Sequence, residues 1–469
     1  MHSSPHPTRR HVLLALSATA LAFSGLRALA AVPAAPHTAG YGPLAPATGY
    51  DKPLLALPEG FTYQVLSVTG HVMRDGLKVP GRPDGMAAFP GADGRTLIVR
   101  NHELQSTNHW LYPSRGRTAF VSTVPPETLA KLYDRGNGVN IIPGGGTTTL
   151  VLDTSNPARI RVEDEYLSLG GTLMNCAGGP TPWGTWLSCE ETLIENHGYV
   201  FEVDPRSGGL AKARPHKMLG RFMHEAVAVH PNARVLYMTE DPGTAVSDSL
   251  FYRFVMNTPG DIAAGGRLQA LALADRPSAD TSRWDHAAMP QAMTVKWIDL
   301  EDIDNPARDL HRRGHRAGAA YFARGEGIWA DPATADIYFS ATSGGPDRYG
   351  QIWRYRPSPA EGTSDEASAP GQLALFIASS DRAILNRPDN LAVAPWGHLI
   401  VCEDNGSSHQ FIRGITPEGH IYPVAQKLFR SANEFAGVCF SPDGRILFVN
   451  IQEPGITLAI TGPWDKLKG

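Results

Sequence analysis

Six segments of the chain repeat the same order of residue types, and this repeat constrains the fold more than any other feature. Each segment has a short apolar run, then a Pro, Asn or Asp-Gly turn signal, then a β-branched or aromatic run. Two such runs joined by a turn are typical of a β-hairpin. The segments occupy residues 84–103, 175–191, 225–241, 326–342, 389–404 and 434–450.

Repeated hairpins at irregular spacing predict an all-β fold, a β-propeller of about six blades with loop insertions. The 469 residues are enough for one large propeller, and 48 Gly and 38 Pro fit a chain rich in turns. We therefore expect a single propeller domain over residues 32–469, with a strand near residues 456–460 closing the ring with the N-terminal blade. The expected insertions are at about 104–145, 257–316 and 357–371.

Acidic residues begin five of the six segments and end four of them. In an antiparallel hairpin, the start of the first strand and the end of the second lie at the same end. Radial packing of the blades would therefore collect these acids around one mouth of the central channel. Carboxylates held close together repel, so they either raise their pKa values or bind cations such as calcium. The alternative, acids that point outwards into water, explains one acidic pair better than a recurrent one.

The second segment differs from the others because it begins with Asn175 beside a thiol, Cys176, and not with an acid. It ends in paired carboxylates, Glu190 and Glu191. Cys176 and Cys189 flank this hairpin. In an oxidising compartment a disulfide between them competes with a metal-ligand role for Cys176. The chain has no CxxC pair, so the sequence does not indicate a zinc site.

Residues 1–31 have the pattern of an export signal. Arg9 and Arg10 precede an apolar, alanine-rich stretch, and residues 28–30 offer a small-residue cleavage site. The paired arginines favour the twin-arginine export machinery as a partner and the periplasm or cell exterior as the location; a Sec signal or a retained anchor is the alternative. Lys and Arg number 42 against 46 Asp and Glu, which does not suit nucleic-acid binding. The polar remainder predicts no stable membrane insertion after cleavage.

Motifs spread over almost the whole mature chain resemble, in consistent order, those of the PhoX-type alkaline phosphatase family. They are Asn-His-Glu at 101–103, Asn-Cys at 175–176, Thr-Pro-Trp-Gly-Thr at 181–185, Cys-Glu-Glu at 189–191, Gly-Arg-Phe-Met-His-Glu at 220–225, Arg-Gly-Glu-Gly at 324–327, Arg-Pro-Asp-Asn at 387–390 and Glu-Phe-Ala-Gly at 434–437. The Thr-Pro-Trp-Gly-Thr motif together with Glu-Glu is the most specific of these.

The resemblance implies a propeller whose mouth holds iron and calcium ions and cleaves phosphate monoesters. It implies that Cys176 is an iron ligand, with Glu225 and Glu326 as the corresponding carboxylates. The remaining acids are implied as calcium or shared ligands: Glu103, Glu190, Glu191, Asp389, Asp404 and Glu434.

Two further residues are candidates for catalysis. Arg324 is the best match for the arginine that grips phosphate in this family, and a structural ion pair with Glu326 or another carboxylate of the mouth is the alternative. His224 and His102 lie beside proposed ligands. His224 is the candidate proton donor to the leaving alkoxide, and a hydrogen-bonded supporting role is the alternative for both histidines.

The sequence therefore predicts a secreted, metal-dependent hydrolase that acts on a small phosphate ester at an iron and calcium cluster. A calcium-dependent lactonase or esterase and a non-catalytic periplasmic scaffold are the alternatives. A thiolate ligand distinguishes them, because a lactonase that uses calcium alone has no need of one. The segment that begins at Glu326 departs from the pattern, since it ends at Thr342 and not at an acid.

Overall fold

The computed structural model describes residues 40–48, 52–105, 126–136, 143–243, 248–289, 291–407, 409–429 and 434–467. The predicted export signal, residues 1–31, lies outside these ranges. The described chain is almost entirely β-structure, with α-helices only at Pro126–Leu129 and Leu310–Arg316. Within it, no helix has the length and apolarity that a membrane crossing requires.

The strands of the first half are β1 (Leu44–Pro46), β2 (Leu55–Pro58), β3 (Thr62–Val68), β4 (Pro83–Pro90), β5 (Thr96–His102), β6 (Gly145–Asp153), β7 (Arg161–Thr172), β8 (Asn175–Pro180), β9 (Trp186–Glu190), β10 (Val200–Val203), β11 (His224–Val229), β12 (Val235–Glu240) and β13 (Phe251–Thr258). Those of the second half are β14 (Asp261–Leu273), β15 (Met293–Asp299), β16 (Gly325–Ala330), β17 (Ile337–Ala341), β18 (Gln351–Arg356), β19 (Gln372–Ala378), β20 (Pro388–Val393), β21 (Leu399–Glu403), β22 (Phe411–Ile415), β23 (Ile421–Lys427), β24 (Phe435–Phe440), β25 (Ile446–Ile451) and β26 (Ile456–Thr461).

Six antiparallel units make up the ring, and we call them blades 1 to 6. They are β4–β7, β8–β10, β11–β14, β16–β19, β20–β23, and β24–β26 with β3. Strand β15 pairs with β14 and β19 and so joins blades 3 and 4, while β2 and β1 extend blade 5. The first strands contact one another in the order β4, β8, β11, β16, β20, β24 and back to β4. This closed ring confirms the predicted all-β, propeller-like fold.

The ring is closed by a strand from the N-terminal side of the described chain. β3 pairs antiparallel with β26, so that Thr62 lies opposite Thr461 and Val68 opposite Ile456. β3 thereby becomes the fourth strand of blade 6, which otherwise comes from the C-terminal part of the chain. The strand predicted near residues 456–460 is thus β26, and it pairs across the closure.

Apolar side chains between neighbouring blades form the core. Met86 and Ile98 of blade 1 pack with Cys439 and Phe448 of blade 6 in one apolar cluster. Inner strands are covered on both faces by the adjacent blades, so they consist of nearly continuous apolar runs, as in β25. This covering explains why the second run of each repeat is strongly apolar.

The regions predicted as insertions have different structures. Residues 257–316 contain β14, β15 and the helix Leu310–Arg316, and β14 is the outer strand of blade 3. Residues 357–371 form a loop without strands, which is anchored because Arg253 of β13 pairs with Glu361 at 2.7 Å and with Glu366 at 2.6 Å. Residues 106–125 and 137–142 of the first predicted insertion lie outside the described chain.

A β-bulge near the beginning of every first strand shapes the channel. In each blade the pairing with the second strand shifts register there. Bulges re-aim side chains and frequently occur next to functional sites. Together they place one residue from each blade, a glycine or an alanine in five of the six, around a cavity of about 20 Å³, which has space for a single water molecule. These residues, which we call the throat, are Gly85, Ala177, Ala226, Gly327, Asn390 and Gly437.

The close packing of the first strands at the throat leads us to predict that Gly327 tolerates no side chain. A Cβ atom there would lie 2.6 Å from Cα of Asn390 and 2.7 Å from the carbonyl oxygen of Asp389. We expect Gly327→Ala to force β16 away from β20 and to lower the free energy of unfolding by about 1–3 kcal/mol, measured by denaturant titration. Gly209→Ala is the matched control, because a Cβ atom on Gly209 meets nothing within 4 Å. Equal stability of the two variants would contradict this close approach.

Candidate metal centre

One backbone hydrogen bond recurs in all six blades and defines equivalent positions at the mouth where the first strands begin. The N–H group of a residue that follows the second strand donates to the carbonyl of a residue that precedes the first strand, over 2.9–3.2 Å. We call the donor the closing position and the acceptor the entry position. The donor and acceptor pairs, from blade 1 to blade 6, are Glu103 and Arg82, Glu191 and Met174, Asp241 and Met223, Thr342 and Arg324, Asp404 and Arg387, and Gln452 and Glu434.

The residue two positions after the entry residue lies at the bulge, and its type decides the chemistry of the mouth. From blade 1 to blade 6 the residues at this bulge position are Asp84, Cys176, Glu225, Glu326, Asp389 and Ala436. The thiol of Cys176 therefore takes the place that a carboxylate takes in four other blades. Blade 6 has no ligand here, but its entry residue is itself an acid, Glu434.

These positions bring most of the predicted ligands together. In four overlapping groups within the described chain, one potential ligand atom from each member lies within 4.8 Å of the others. The groups are Cys176, Glu191 and Glu225; Glu225, Glu326 and Asp389; Asp389, Asp404 and Glu434; and Asp84, Glu103 and Glu434. All predicted metal ligands except Glu190 are members. We call this set the mouth cluster.

Asp84 belongs to the mouth cluster, although the sequence analysis did not include it among the candidate ligands. The sequence repeat did indicate this residue, because Asp84 begins the first repeated segment just as Glu225 begins the third. Its carboxylate is 1% exposed and accepts hydrogen bonds from the N–H of Gly85 at 2.8 Å and from Nε2 of Gln452 at 2.7 Å.

Glu190 lies elsewhere, and its contacts do not support the predicted role as a metal ligand. Its carboxylate accepts hydrogen bonds from the backbone N–H groups of Leu173 and Gly198, both at 2.9 Å. It also contacts Nδ1 of His197 at 2.6 Å. Glu190 therefore anchors the backbone segments that contain Leu173 and Gly198, while the next residue, Glu191, faces the cluster.

The same division of roles occurs in two other acidic pairs. Glu240 accepts a hydrogen bond from the hydroxyl of Tyr252 at 2.7 Å, and Glu403 accepts one from Nε of Arg413 at 2.9 Å. The residues that follow them, Asp241 and Asp404, occupy closing positions at the mouth. In each pair, the first acid stabilises its own blade and the second faces the mouth.

His224 is directed away from the mouth cluster. Its ring stacks on Phe222 with centroids 3.6 Å apart, and Nε2 lies 3.1 Å from the carbonyl oxygen of Gly220. Burial lowers the pKa of His224 to about 3, so the ring is neutral. His102 is likewise used internally, with Nδ1 3.0 Å from the carbonyl of Gly81 and Nε2 near Thr148. These contacts fit the supporting role for both histidines and give no support to the prediction that His224 is the proton donor.

Arg324 occupies the entry position of blade 4, and carboxylates hold its guanidinium group. Nε donates to Oδ1 of Asp241 at 2.9 Å, and Nη2 donates to Oε1 of Glu326 at 2.8 Å. The ion pair considered as the alternative is therefore present. Nη1 makes no hydrogen bond to any residue in the described ranges, and the side chain is 22% exposed. The group is thus both fixed in position and partly available to a ligand.

The two cysteines of the second segment have different surroundings. Both thiols are free. Cys189 packs in an apolar cluster with Leu187 and Val200, whereas Cys176 faces Glu191 and Glu225. Burial and the nearby carboxylates raise the pKa of the Cys176 thiol well above its usual value. A free thiol in this position is a potential ligand and not half of a disulfide.

The electrostatics of the mouth cluster fit bound cations. Burial and repulsion from neighbouring carboxylates raise the pKa of Asp84 to about 8 and those of Glu225, Glu326 and Asp389 well above their usual range. Both carboxylate oxygens of Glu225 are buried and have no hydrogen-bond partner in the described chain. Such oxygens are costly unless a cation or a proton neutralises them, so the residues present fit a metal centre.

Comparisons with known proteins show which family and which solved structures this chain is similar to. The model of the family described as alkaline phosphatase PhoX matches residues 39–455. The structure of Pseudomonas fluorescens PhoX in complex with vanadate, a transition state analogue, is 20% identical with a TM-score of 0.65, over 89% of this chain and 97% of that chain. The calcium structure of Trichoderma reesei Carbohydrate-Active Enzymes Family AA12 is 11% identical with a TM-score of 0.40, over 89% of this chain and 99% of that chain. No curated protein sequence matches the chain.

The family match runs from before β1 to the segment between β25 and β26, so it includes every residue of the mouth cluster. The structural likeness to Pseudomonas fluorescens PhoX supports the propeller-like fold independently. The chain belongs to the alkaline phosphatase PhoX family.

Proposed function

We propose that this protein is a metal-dependent phosphatase that hydrolyses small phosphate monoesters at the mouth of the propeller. The observation that carries the proposal is the mouth cluster, in which one thiol and several unneutralised carboxylates converge. Membership of the alkaline phosphatase PhoX family supports the reaction class. The vanadate complex of the Pseudomonas fluorescens protein supports a phosphoryl site in that relative.

The types of ligand atom in each group of the mouth cluster indicate which ion that group would bind. The group of Cys176, Glu191 and Glu225 combines a thiolate with carboxylates, which suits iron. The groups that contain Asp84 and Asp404 consist of carboxylates alone, which suits calcium. Bound ions would neutralise the phosphoryl oxygens and stabilise the attacking and leaving oxygens. A lactonase that uses only calcium gives no reason for the thiol.

Arg324 is the residue that we assign to phosphate. Asp241 and Glu326 fix its guanidinium group before substrate arrives, so little conformational entropy is lost on binding. The unpaired Nη1 group can donate to a phosphoryl oxygen while the ion pairs remain intact. A preorganised donor of this kind stabilises charge that develops in the transition state. The ion pair and the phosphate contact are thus compatible roles.

We also propose export through the twin-arginine route to the periplasm or the cell exterior, on the basis of residues 1–31. That route carries folded proteins. The ligands of the mouth cluster come from all six blades, so the complete set of ligands forms only after the ring has closed. Export after folding therefore suits this protein.

Replacement of the thiol tests the iron assignment. We expect Cys176→Ser to lower iron content and p-nitrophenyl phosphate turnover by on the order of 100-fold or more, because serine is a poor ligand for iron. Elemental analysis and circular dichroism would measure metal content and folding. Cys189→Ala is the control, since that thiol lies in an apolar cluster and should not change the metal content. Iron and turnover retained in Cys176→Ser would contradict the assignment.

The adjacent acids Glu190 and Glu191 provide a matched pair of variants. Glu191→Gln should weaken metal binding by about 10- to 100-fold, seen as loss of activity at lower chelator concentration. Glu190→Gln removes the carboxylate that accepts the N–H groups of Leu173 and Gly198, so it should instead lower the free energy of unfolding by about 1–3 kcal/mol. The reverse pattern would show that Glu190 is the ligand.

The raised pKa of Asp84 predicts an unusual pH dependence for the chelated protein. Its pKa is 3.8 when unperturbed and about 8 when folded without ions. Between these values the folded state binds more protons than the unfolded state, so stability falls as pH rises. We expect the melting temperature in chelator to fall by on the order of 5 °C between pH 5 and pH 8.

Bound ions should remove this loss, because the carboxylates are then already ionised. Calorimetry of the protein with and without chelator at both pH values would measure the difference. A chelated protein that is as stable at pH 8 as at pH 5 would show that the carboxylates do not repel one another.

A further inference from the structure

Three blades have arginine at the entry position of the mouth. Arg82, Arg324 and Arg387 belong to blades 1, 4 and 5, and each precedes the bulge carboxylate of its own blade by two residues. Their backbones have positive φ angles of 47°, 58° and 54°. Residues other than glycine rarely adopt this conformation, and the surrounding structure has to enforce it. All three side chains therefore extend from residues with a similar left-handed backbone conformation.

The three guanidinium groups differ in their contacts. Arg82 forms an ion pair with Glu103, and Arg324 is held by Asp241 and Glu326. Arg387 is exposed, and its side chain forms no hydrogen bond or ion pair with the residues that the structure describes. This is notable because Arg387 lies only two residues from Asp389 in a mouth rich in carboxylates.

The backbone of Arg387 is nevertheless fixed on both sides. Its N–H group donates to the carbonyl of Tyr349 at 2.7 Å, and its carbonyl accepts from the N–H group of Asp404 at 3.0 Å. Pro388 follows and packs closely on Gly350, where an added Cβ would lie 2.1 Å from Cδ of the proline. The side chain is thus anchored at the rim of the mouth, and its charge is available to an external anion.

We propose that Arg387 binds a second anionic group on the leaving alcohol of the substrate. The inference rests on the proposed phosphatase function and specifies its substrate class: phosphate monoesters whose alcohol carries a carboxylate or another phosphate. First strands β16 and β20 contact each other, so Arg324 and Arg387 occupy entry positions on neighbouring blades. Arg324 is held among the carboxylates of the cluster, whereas Arg387 is exposed at the rim. A guanidinium group binds either anion through two parallel N–H···O bonds.

A pair of substrates that share a skeleton tests this assignment. Glycerol 3-phosphate and 3-phosphoglycerate both have three carbons, and only the second has a carboxylate in addition to the phosphate. The measurement is the ratio of kcat/KM for 3-phosphoglycerate to kcat/KM for glycerol 3-phosphate with the metal-loaded enzyme. We expect Arg387→Gln to lower this ratio about fivefold relative to the unmodified chain, the effect of one exposed ion pair.

Arg159→Gln is the matched control. Arg159 is also exposed and lies between β6 and β7, at the opposite end of blade 1 from the mouth. This substitution makes the same change in net charge as Arg387→Gln. Because Arg159 is far from the mouth, the substitution should leave the ratio unaltered. Arg387→Lys keeps the charge but loses the planar fork, and it should restore part of the ratio.

An unchanged ratio in Arg387→Gln would overturn the proposal. If kcat/KM falls by the same factor for both substrates, the result would assign Arg387 to the transferred phosphoryl group. If the unmodified chain hydrolyses neither these two esters nor p-nitrophenyl phosphate, the phosphatase function itself fails. Calorimetric affinities of the metal-loaded protein for the same two compounds then decide the role of Arg387. The same fivefold change in their ratio supports it, and an unchanged ratio overturns it.

Discussion

Repulsion between carboxylates in the mouth is the constraint on which the rest of the structure depends. Asp84, Glu225 and Glu326 are buried around the same mouth because the bulges and the small residues of the throat draw the first strands together. In a separate hairpin these acids would turn outwards into water. The closed ring of strands prevents that movement, so the repulsion is retained and bound ions relieve it. The feature that destabilises the metal-free protein therefore also provides its affinity for metal.

Most of the cluster could be predicted from the sequence, because a hairpin necessarily brings the beginning of one strand to the end of the next. The choice between adjacent acids could not be predicted in this way. Neighbouring residues in a strand point to opposite faces, so a shift of one residue exchanges Glu190 with Glu191. The structure resolves the choice through a contact that is distant in sequence, since the carboxylate of Glu190 meets Gly198 and His197.

The parts of the fold that the sequence did not reveal have two physical causes. The outer strand β14 begins with charged and small residues that are largely exposed, so its buried apolar run is confined to residues 268–273. The entry positions depend on backbone hydrogen bonds and, in four of the six blades, on left-handed φ angles, which no pattern of side chains records. Arg82, Arg324 and Arg387 look alike in sequence, and only the fold separates the two that are paired with acids from the one that is not.

The pairing of β3 with β26 sets an order in time for the assembly of this site. β3 is synthesised before any ligand of the mouth cluster, and β26 follows the last of them, Glu434. A chain still emerging from the ribosome has no partner for β3, so its blades lack the closure that holds the carboxylates against their repulsion. Assembly of the complete mouth cluster consequently waits until β26 has been synthesised. The pairing of β3 with β26 therefore makes the complete mouth cluster one of the last parts of the fold to form.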